Sequence, residues 1–317
     1  MEMSVSNQTE SSKLTRKQFD VMTVLIEEKD KISQRELAKI TGYGLGTVNK
    51  VLKELDESGY VTDGAVTDKG IEALEPYKVK RAIIIAAGFG SRLVPITLNT
   101  PKPLVRVNGS RIIDGLLDAI VEAGIEEIYI VRGYLAEQFD QLLYKYPMIK
   151  FIENPAYNEA NNISSAMCVK DLLENAYVLE ADLLLHNKKL IKKYQYTSNF
   201  LGISVERSDD WIFTVKNGII QEQKVGGEIS EKMKDNGREL YQEVGISYWS
   251  KEDGKKLSGH IQKVFEMPGG KERYWDQVPF AFFGSEYSVE IRECLFDDII
   301  EIDTFRELKM IDKTYDV

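Results

Sequence analysis

A glycine turn with two basic residues close behind it is the segment of this sequence best suited to chemistry. Gly88 and Gly90 follow the apolar run RAIIIAA. Because glycine carries no side chain, a phosphate can approach the backbone there and accept hydrogen bonds from main-chain N–H groups. Arg92 can bind the same oxygens in a bidentate manner, and Lys102, between two prolines, adds a point charge. The residues of the predicted anion-binding loop are Ala87, Gly88, Gly90 and Ser91.

This loop differs from two other phosphate-binding motifs. A dinucleotide fingerprint would have a third glycine or an alanine where this chain has Leu93. A P-loop would continue with Gly-Lys-Ser/Thr, which the segment lacks. The stretch AAGFGSRLVPITLNTPKPLVRVNG instead resembles the signature of the sugar-phosphate nucleotidylyltransferases, with Arg92 and Lys102 both in register.

Two aspartates are candidate metal ligands. Asp182 directly follows the apolar strand YVLEA, which places it at the carboxyl edge of a sheet, where open α/β sheets bind ligands. Asp303 lies in EIDTFRELKMID, between an apolar strand and the last helix. Magnesium prefers a few carboxylate oxygens together with phosphate oxygens and water, so two aspartates suffice. The alternatives are a turn aspartate at 182 and a helix-entry residue at 303.

Amide and hydroxyl groups are concentrated in the segment ENPAYNEANNISSAM, just before a predicted helix. Asn161, Asn162 and Ser164 could read a base edge or a ribose hydroxyl. Helix capping explains the same residues equally well. They are therefore candidate nucleotide-binding residues with an open structural alternative.

Aromatic and acidic residues occur together twice in the second half of the chain. Trp211 lies in DDWIF, and Tyr274, Trp275 and Asp276 lie in RYWDQ. Aromatic ring faces attract a quaternary ammonium by roughly 0.5 to 2 kcal/mol each, and a carboxylate balances its charge. Tryptophans in the core are the alternative. The pattern predicts an acceptor site around Trp211, Trp275 and Asp276.

Beyond Lys80, short apolar strands alternate with amphipathic helices. Strands that are apolar on both faces and separated by helices predict a mostly parallel sheet covered on both sides, which is a doubly wound α/β domain. From about Phe200 the pattern becomes strand-like, and Asn217 with Gly218 predicts a type I′ hairpin turn. The predicted strands are 81–87, 128–131, 150–153 and 177–180, and the predicted helices are 112–123, 139–143, 164–173 and 305–313.

The N-terminal part follows a different pattern. Capping boxes at Thr15 and Ser33 each begin a short helix, a glycine turn leads to a third, and VTDGAVTDKG is typical of a wing. Roughly residues 14–78 resemble the winged-helix domains of bacterial transcription regulators. DNA binding by the third helix is one hypothesis, and a module for dimerisation, as in a homodimer, or for docking is the other, because acidic and basic residues balance here. The predicted groove-facing residues are Thr47, Asn49, Lys50 and Lys53.

The composition excludes several classes of protein. The formal charge of −10 argues against a surface built mainly for nucleic acid, and no run of about 18 apolar residues is present to span a membrane. Two cysteines and two histidines are too few for a disulfide framework or a zinc site. We therefore expect a cytoplasmic protein whose metal, if any, is held by oxygen. The predicted organisation is a disordered tail over 1–12, a winged helix-turn-helix domain over 13–78 and a nucleotidyltransferase domain over 79–317.

From Lys80 to Val317 the chain is similar to the bacterial CTP:phosphocholine cytidylyltransferases. The similarity rests on AAGFGSRL, TPKPLV, VRGYLAEQF, YNEANNISSAM, VLEADLLL, DDWIF, GISYWS, RYWDQV and IIEIDTFREL. It implies a Rossmann-like (GT-A) nucleotidyltransferase domain that transfers CMP from CTP to phosphocholine, giving CDP-choline and pyrophosphate. The residues that it implies are Asp182 and Asp303 on Mg²⁺, Arg92 and Lys102 on the triphosphate, and Trp211, Trp275 and Asp276 near the choline.

Three other functions stay open at the level of sequence. The 2-aminoethylphosphonate cytidylyltransferases share the loop and the two aspartates, but their acceptor ends in a primary ammonium, which needs hydrogen-bond acceptors more than ring faces. A sugar-1-phosphate nucleotidylyltransferase would share the loop as well. A DNA-binding transcription regulator with a nucleotide-sensing domain would explain the winged helix, although competent residues fill every predicted catalytic position.

Overall fold

The computed structural model describes residues 13–28 and 32–316, and the chain divides into two compact units between residues 78 and 79. The tail predicted over 1–12 lies outside the described residues. Among the helices that are described, none is both long and apolar enough to cross a membrane.

The first unit consists of short helices and a two-stranded wing. The capping boxes predicted at Thr15 and Ser33 are both present, each closed by the side chain three residues later. Lys69 lies in the helix after the wing, and its Nζ donates to the Ser58 carbonyl oxygen at 2.7 Å. The elements are α1 (Arg16–Glu27), α2 (Gln34–Thr41), α3 (Leu45–Glu57), β1 (Val61–Thr62), β2 (Ala65–Val66) and α4 (Asp68–Leu74).

The face of α3 that we predicted to meet DNA carries both signs of charge. Asn49, Lys50 and Lys53 are exposed, while Thr47 is half-buried. The Nζ atoms of Lys50 and Lys53 lie 3.9 and 3.7 Å from carboxylate oxygens of Glu54 and Glu57, one turn further on. Part of the positive charge on this helix is therefore neutralised within the helix itself.

The second unit is built on a nine-stranded mixed sheet. Its strands are β3 (Arg81–Ile85), β6 (Glu127–Arg132), β7 (Ile149–Glu153), β8 (Ala176–Glu180), β10 (Asn199–Ser204), β11 (Arg207–Lys216), β12 (Ile219–Glu228), β13 (Arg238–Trp249) and β14 (Glu290–Cys294). The smaller strands pair as β4 (Arg106–Val107) with β5 (Ser110–Arg111), and β9 (Leu183–Leu185) with β15 (Ile299–Glu301). The helices are α5 (Ile112–Glu122), α6 (Ile163–Cys168), α7 (Glu231–Asp235), α8 (Lys251–Glu266) and α9 (Phe305–Ile311).

The strand order of the large sheet is β10-β14-β12-β11-β13-β8-β3-β6-β7. Strands β8, β3, β6 and β7 are parallel, as predicted, whereas β13 pairs antiparallel with β8 and with β11. The predicted α/β fold is confirmed, with parallel pairing concentrated in one half of the sheet. Between β11 and β12, Asn217 and Gly218 have φ of 52° and 75°, as a type I′ turn requires.

Both faces of the sheet are covered, which explains the apolar strands. Along β3, Ala82 and Ile84 belong to one buried cluster together with Leu116 of α5, whereas Ile83 belongs to a second cluster on the opposite face together with Ile261 of α8. Alternate residues of a strand point to opposite faces, so a strand buried on both sides must be apolar throughout. Strands β3 and β8 are parallel neighbours in this sheet, so their carboxyl ends lie side by side.

Candidate active site

A cavity of about 610 Å³ lies at the carboxyl ends of β3 and β8. The glycine loop follows β3, and Asp182 follows β8, so the two segments meet because their strands are parallel neighbours. Most of the predicted site residues line this cavity. They are Ala87, Gly88, Gly90, Ser91, Arg92, Lys102, Asn161, Asn162, Ser164, Asp182, Trp211, Asp276 and Asp303.

The two glycines of the loop have different reasons to be glycine. Gly90 has φ of 67°, and a Cβ there would lie 3.0 Å from the Cβ of Lys102, so a side chain is disfavoured by conformation and by space. A Cβ on Gly88 would meet no heavy atom of the described chain within 4 Å. The space beside Gly88 opens to the cavity, where a ligand can approach the backbone.

Lys102 lies between the two predicted metal ligands. Its Nζ donates to Asp182 Oδ2 at 2.7 Å and to Asp303 Oδ1 at 3.0 Å. Burial lowers the pKa of Lys102, but the charges and hydrogen bonds of the two carboxylates outweigh it, so that its pKa is raised. Arg92, more exposed, donates to Asp303 Oδ1 at 2.7 Å. The predicted phosphate-binding cations are therefore paired with the predicted metal-binding carboxylates.

Asp182 has two further carboxylates beside it. One oxygen from each of Glu180, Asp182 and Glu301 can be chosen so that all three lie within 4.8 Å of one another. Glu301 reaches this position because β15 pairs with β9 in a register that sets it opposite Leu183. Asp182 Oδ1 is buried and has no hydrogen-bond partner among the described residues, which fits a cation at this place.

The crowding of these carboxylates changes their protonation. Burial, together with the charges of the nearby Asp182 and Asp303, raises the pKa of Glu301 to about 9 against the opposing effect of Lys102. Burial also raises the pKa of Glu180, with Asp182 and Glu301 acting in the same direction. A cation that entered the cluster would relieve this repulsion.

Asn161, Asn162 and Ser164 of the amide-rich segment hydrogen-bond to the backbone of the chain. Asn161 donates from Nδ2 to the Glu272 carbonyl oxygen at 3.2 Å, and Asn162 Oδ1 accepts from the Trp275 backbone N–H at 2.9 Å. The hydroxyl of Ser164 donates to the Asn161 carbonyl oxygen at 2.8 Å. Asn162 is the N-cap of α6, but its side chain makes no capping hydrogen bond, so capping does not explain these residues. They join the start of α6 to the segment that carries Tyr274, Trp275 and Asp276.

The structure separates the predicted aromatic residues. Trp211 lines the cavity, and its ring centroid lies 5.7 Å from that of Tyr274, which is also in the wall. Trp275 is only 2% exposed, and its ring packs against Phe200 and Trp249 in the core. Trp275 therefore does not present its ring to the cavity, contrary to the sequence-based expectation. Its neighbour Tyr274 holds that place.

Acidic residues line the same cavity as this aromatic pair. Asp210, Glu243 and Asp276 line the cavity, and the amide of Gln223 donates from Nε2 to both Glu243 Oε2 and Asp276 Oδ2. Burial raises the pKa of Asp276 to about 6, although the hydrogen bond from Gln223 opposes the rise. Burial and the neighbouring Asp276 raise the pKa of Glu243 well above its usual value. These carboxylates suit a positively charged ligand.

Comparison with known proteins identifies the family of the chain. The family model described as "Nucleotidyl transferase" matches residues 81–250. The chain belongs to this family. A second family model, described as "MarR family", matches residues 12–69, in agreement with the winged helix of the first unit.

Two relatives of this nucleotidyl transferase transfer cytidylyl groups. The 2-aminoethylphosphonate cytidylyltransferase of Lancefieldella rimae is 34% identical over 237 residues, which cover 74% of this chain and 92% of that protein. The choline-phosphate cytidylyltransferase of Streptococcus pneumoniae is 30% identical over 238 residues, covering 74% and 97%. A solved structure of the CTP:phosphocholine cytidylyltransferase from Streptococcus pneumoniae matches with a TM-score of 0.66 at 30% identity, covering 74% of this chain and 98% of that chain.

Several residues of this nucleotidyl transferase cavity escaped the sequence-based prediction. Glu180 and Glu301 each stand two residues before a predicted metal ligand, in EAD and EID, and this repeated spacing was an available signal. Glu243 and Gln223 lie inside long strands without a local motif, so only the sheet brings Glu243 to the cavity and Gln223 into contact with it. The missed residues near the site are Asn154, Ser165, Glu180, Asp210, Gln223, Glu243 and Glu301, while Tyr274 was named in RYWDQ but not assigned to the site.

Proposed function

We propose that this nucleotidyl transferase transfers CMP from CTP to a small phosphonate or phosphate monoester that ends in a primary ammonium group, such as 2-aminoethylphosphonate. The observation that carries the proposal is the pair of carboxylates Glu243 and Asp276 in the cavity wall. Neither makes an ion pair with another described residue. Both accept a hydrogen bond from the neutral amide of Gln223. A cationic acceptor would supply the missing positive charge.

The type of cation follows from the groups that surround it. A primary ammonium donates three hydrogen bonds, and carboxylate oxygens are its best acceptors. Asp210, Glu243 and Asp276 offer such oxygens in the cavity wall. Because Trp275 is buried in the core, the rings in the cavity wall are those of Trp211 and Tyr274. The relative from Lancefieldella rimae, named for 2-aminoethylphosphonate, agrees with this choice.

Phosphocholine is the second candidate acceptor. The rings of Trp211 and Tyr274 meet at a centroid distance of 5.7 Å in the cavity wall and could bind a quaternary ammonium, which donates no hydrogen bonds. The relative from Streptococcus pneumoniae is named for choline phosphate. Two ring faces are available here against three carboxylates, so we rank phosphocholine below an acceptor with a primary ammonium.

The chemistry proposed for the cavity is an in-line displacement. An oxygen of the acceptor, already ionised, forms a bond to the α-phosphorus of CTP, while the bond from that phosphorus to the bridging oxygen of the β-phosphate breaks and pyrophosphate leaves with the electron pair. No general base is needed. Arg92, Lys102 and the N–H groups of the glycine loop would hold the triphosphate and offset the negative charge on it.

Magnesium fits the carboxylates around Asp182. The unpartnered Asp182 Oδ1 supports a cation there, and Asp303, with Glu180 and Glu301 beside Asp182, offers further hard oxygens. When bound, the ion would neutralise charge on the phosphate oxygens. Lys102, now paired with Asp182 and Asp303, would then be free to bind the triphosphate instead.

A screen of acceptors tests the proposal. Pyrophosphate release from CTP is measured with 2-aminoethylphosphonate, phosphoethanolamine, phosphocholine and glucose 1-phosphate, each with and without Mg²⁺, and UTP replaces CTP in a parallel series. The proposal predicts Mg²⁺-dependent release with CTP and the highest kcat/KM for an acceptor with a primary ammonium. A preference for phosphocholine selects the second candidate. Turnover of glucose 1-phosphate alone, or of no acceptor, would refute both.

For the first unit we propose DNA binding through α3. The match to the MarR family model and the exposed Asn49, Lys50 and Lys53 support it. Because Glu54 and Glu57 offset part of the charge, the salt-dependent attraction to phosphates should be weak, and base contacts would have to supply the affinity. A mobility shift of the full chain with DNA from upstream of its own gene, lost in Lys50→Glu/Lys53→Glu, is expected. Equal binding by this double variant would refute the role of α3.

A further inference from the structure

We propose that Gln223 is a positioning residue that sets the charge preference of the acceptor site. Its amide holds Glu243 and Asp276 side by side and leaves their remaining oxygens for the ammonium group of the acceptor. The inference rests on the proposed function, since it concerns the residue that arranges the acceptor end of the same cavity. Gln223 itself is not among the residues that line the cavity, so we assign it no contact with the acceptor.

The contacts of Gln223 bring together three separate segments. Gln223 lies on β12, Glu243 on β13, and Asp276 on the segment that follows α8. Nε2 of Gln223 donates to Glu243 Oε2 at 2.8 Å and also to Asp276 Oδ2. Strand β11 lies between β12 and β13 in the sheet, so the side chain spans the intervening strand. One amide group therefore fixes two acidic residues that no local sequence pattern would place together.

The side-chain amide of Gln223 is oriented with its donor, Nε2, towards the two carboxylates. Gln223 is 8% exposed, and its Oε1 is buried without a hydrogen-bond partner in the described part of the chain. The opposite orientation would turn Oε1 towards the two carboxylates, which would be repulsive. Oε1 of Gln223 is therefore left without a partner, while Nε2 lies between Glu243 and Asp276 as a donor to both.

A neutral donor has a consequence that a cation would not have. A lysine or arginine at this position would satisfy the two carboxylates and compete with a cationic ligand. Gln223 reduces their repulsion but adds no charge, so the negative charge of the pair stays available for the acceptor. Loss of the amide should let the two side chains move apart and weaken binding of the ammonium group specifically.

The test is a comparison of two acceptors of the same length. 2-Aminoethylphosphonate ends in an ammonium, and n-propylphosphonate replaces that nitrogen by a methyl group. Gln223→Met keeps the length of the side chain but removes its donors. The matched control is Gln221→Met on the same strand, because Gln221 is exposed and its Nε2 donates to the Ile219 carbonyl oxygen at 3.0 Å.

We expect Gln223→Met to raise the KM for 2-aminoethylphosphonate by about tenfold or more. This is the effect typical of losing a hydrogen bond to a charged group, here the bonds from Gln223 to Glu243 and Asp276. The KM for CTP and the turnover of n-propylphosphonate should stay within about threefold of wild type, so that the ratio of kcat/KM between the acceptors falls. Gln221→Met should keep the ratio of wild type. If Gln223→Met does not fold, Gln223→Asn, which keeps the amide on a shorter side chain, should lower the same ratio.

Two results would overturn the inference, and they differ from a failure of the proposed function. An unchanged ratio in a folded Gln223→Met or Gln223→Asn enzyme would refute the role of Gln223 and leave the proposed function standing. An equal loss for both acceptors and for CTP would reduce Gln223 to a structural residue. Absence of turnover of every ammonium-bearing acceptor by the wild-type protein would refute the proposed function, and this inference with it.

Discussion

Lys102 Nζ lies 2.7 Å from Asp182 Oδ2, so the lysine predicted to bind the triphosphate is paired with an aspartate predicted to bind the metal ion. The ammonium of Lys102 also contacts Asp303 at 3.0 Å, and it thus occupies the position between two carboxylates that suits a cation. Such a pairing neutralises the buried lysine and offsets part of the charge of the two acidic residues before any ligand arrives. Binding of a metal ion and a triphosphate would exchange these partners rather than create new charges.

This exchange predicts the behaviour of Lys102→Met. The variant should lose on the order of 100-fold in kcat/KM for CTP, because a cation on the triphosphate is removed. It should also gain more thermal stability from millimolar MgCl₂ alone than the wild type does, since Asp182 and Asp303 no longer have Lys102 as a partner. Pyrophosphate release and thermal unfolding measure the two effects. Lys216→Met, at an exposed position on β11, is the control, and equal Mg²⁺ shifts in all three proteins would contradict the exchange.

The metal assignment predicts the outcome of Asp182→Asn. An amide cannot supply the negative charge that a divalent ion requires, so Mg²⁺-dependent pyrophosphate release should fall by on the order of 100-fold or more while the fold stays intact. Circular dichroism and thermal unfolding check the fold. Asp171→Asn is a matched control, because Asp171 is exposed and pairs with Lys170. Near-normal turnover by Asp182→Asn would refute the assignment.

The sequence predicted the phosphate end of the cavity better than the acceptor end. The glycine loop and Asp182 follow strands that are parallel neighbours, and parallel strands deliver the residues that follow them to a common edge. Such placement depends only on strand order and direction. The α/β fold and the winged helix followed from similarly local patterns, namely apolar strands and capping boxes. The catalytic and binding roles of these residues stay predictions.

The acceptor end depends on contacts that no local pattern encodes. Tyr274 and Trp275 are neighbours in sequence, yet one lines the cavity and the other fills the core, because the backbone of this segment turns them to different sides. Their position is set in part by Asn162, whose Oδ1 accepts from the Trp275 backbone N–H. Gln223 meets Asp276 only through the packing of β12 against the segment after α8. Residue type alone could not distinguish these partners.

Trp211→Leu should separate the two candidate acceptors. Removing a ring face weakens a quaternary ammonium by roughly 0.5 to 2 kcal/mol, which corresponds to about a 2- to 30-fold rise in the KM for phosphocholine. An acceptor with a primary ammonium, held mainly by carboxylates, should change by less than about threefold. Steady-state kinetics with both acceptors measure the difference. Trp249→Leu in the core should instead lower thermal stability, and an equal change for both acceptors in Trp211→Leu would contradict the assigned role of the ring.

Asp276→Asn should stabilise the ligand-free protein above neutral pH. Burial raises the pKa of Asp276 to about 6, whereas an unfolded aspartate titrates near 3.9. The folded protein therefore binds this proton more tightly, and the cost of ionisation is absent below about pH 4 and fully present above about pH 6. Asparagine removes that cost, so the free energy of unfolding should increase by on the order of 1 to 3 kcal/mol at about pH 8 and remain unchanged near pH 4. Denaturant unfolding at both pH values measures the change in the free energy of unfolding. Asp235→Asn, at an exposed position, is the control. A gain in stability that is the same at both pH values would contradict the raised pKa.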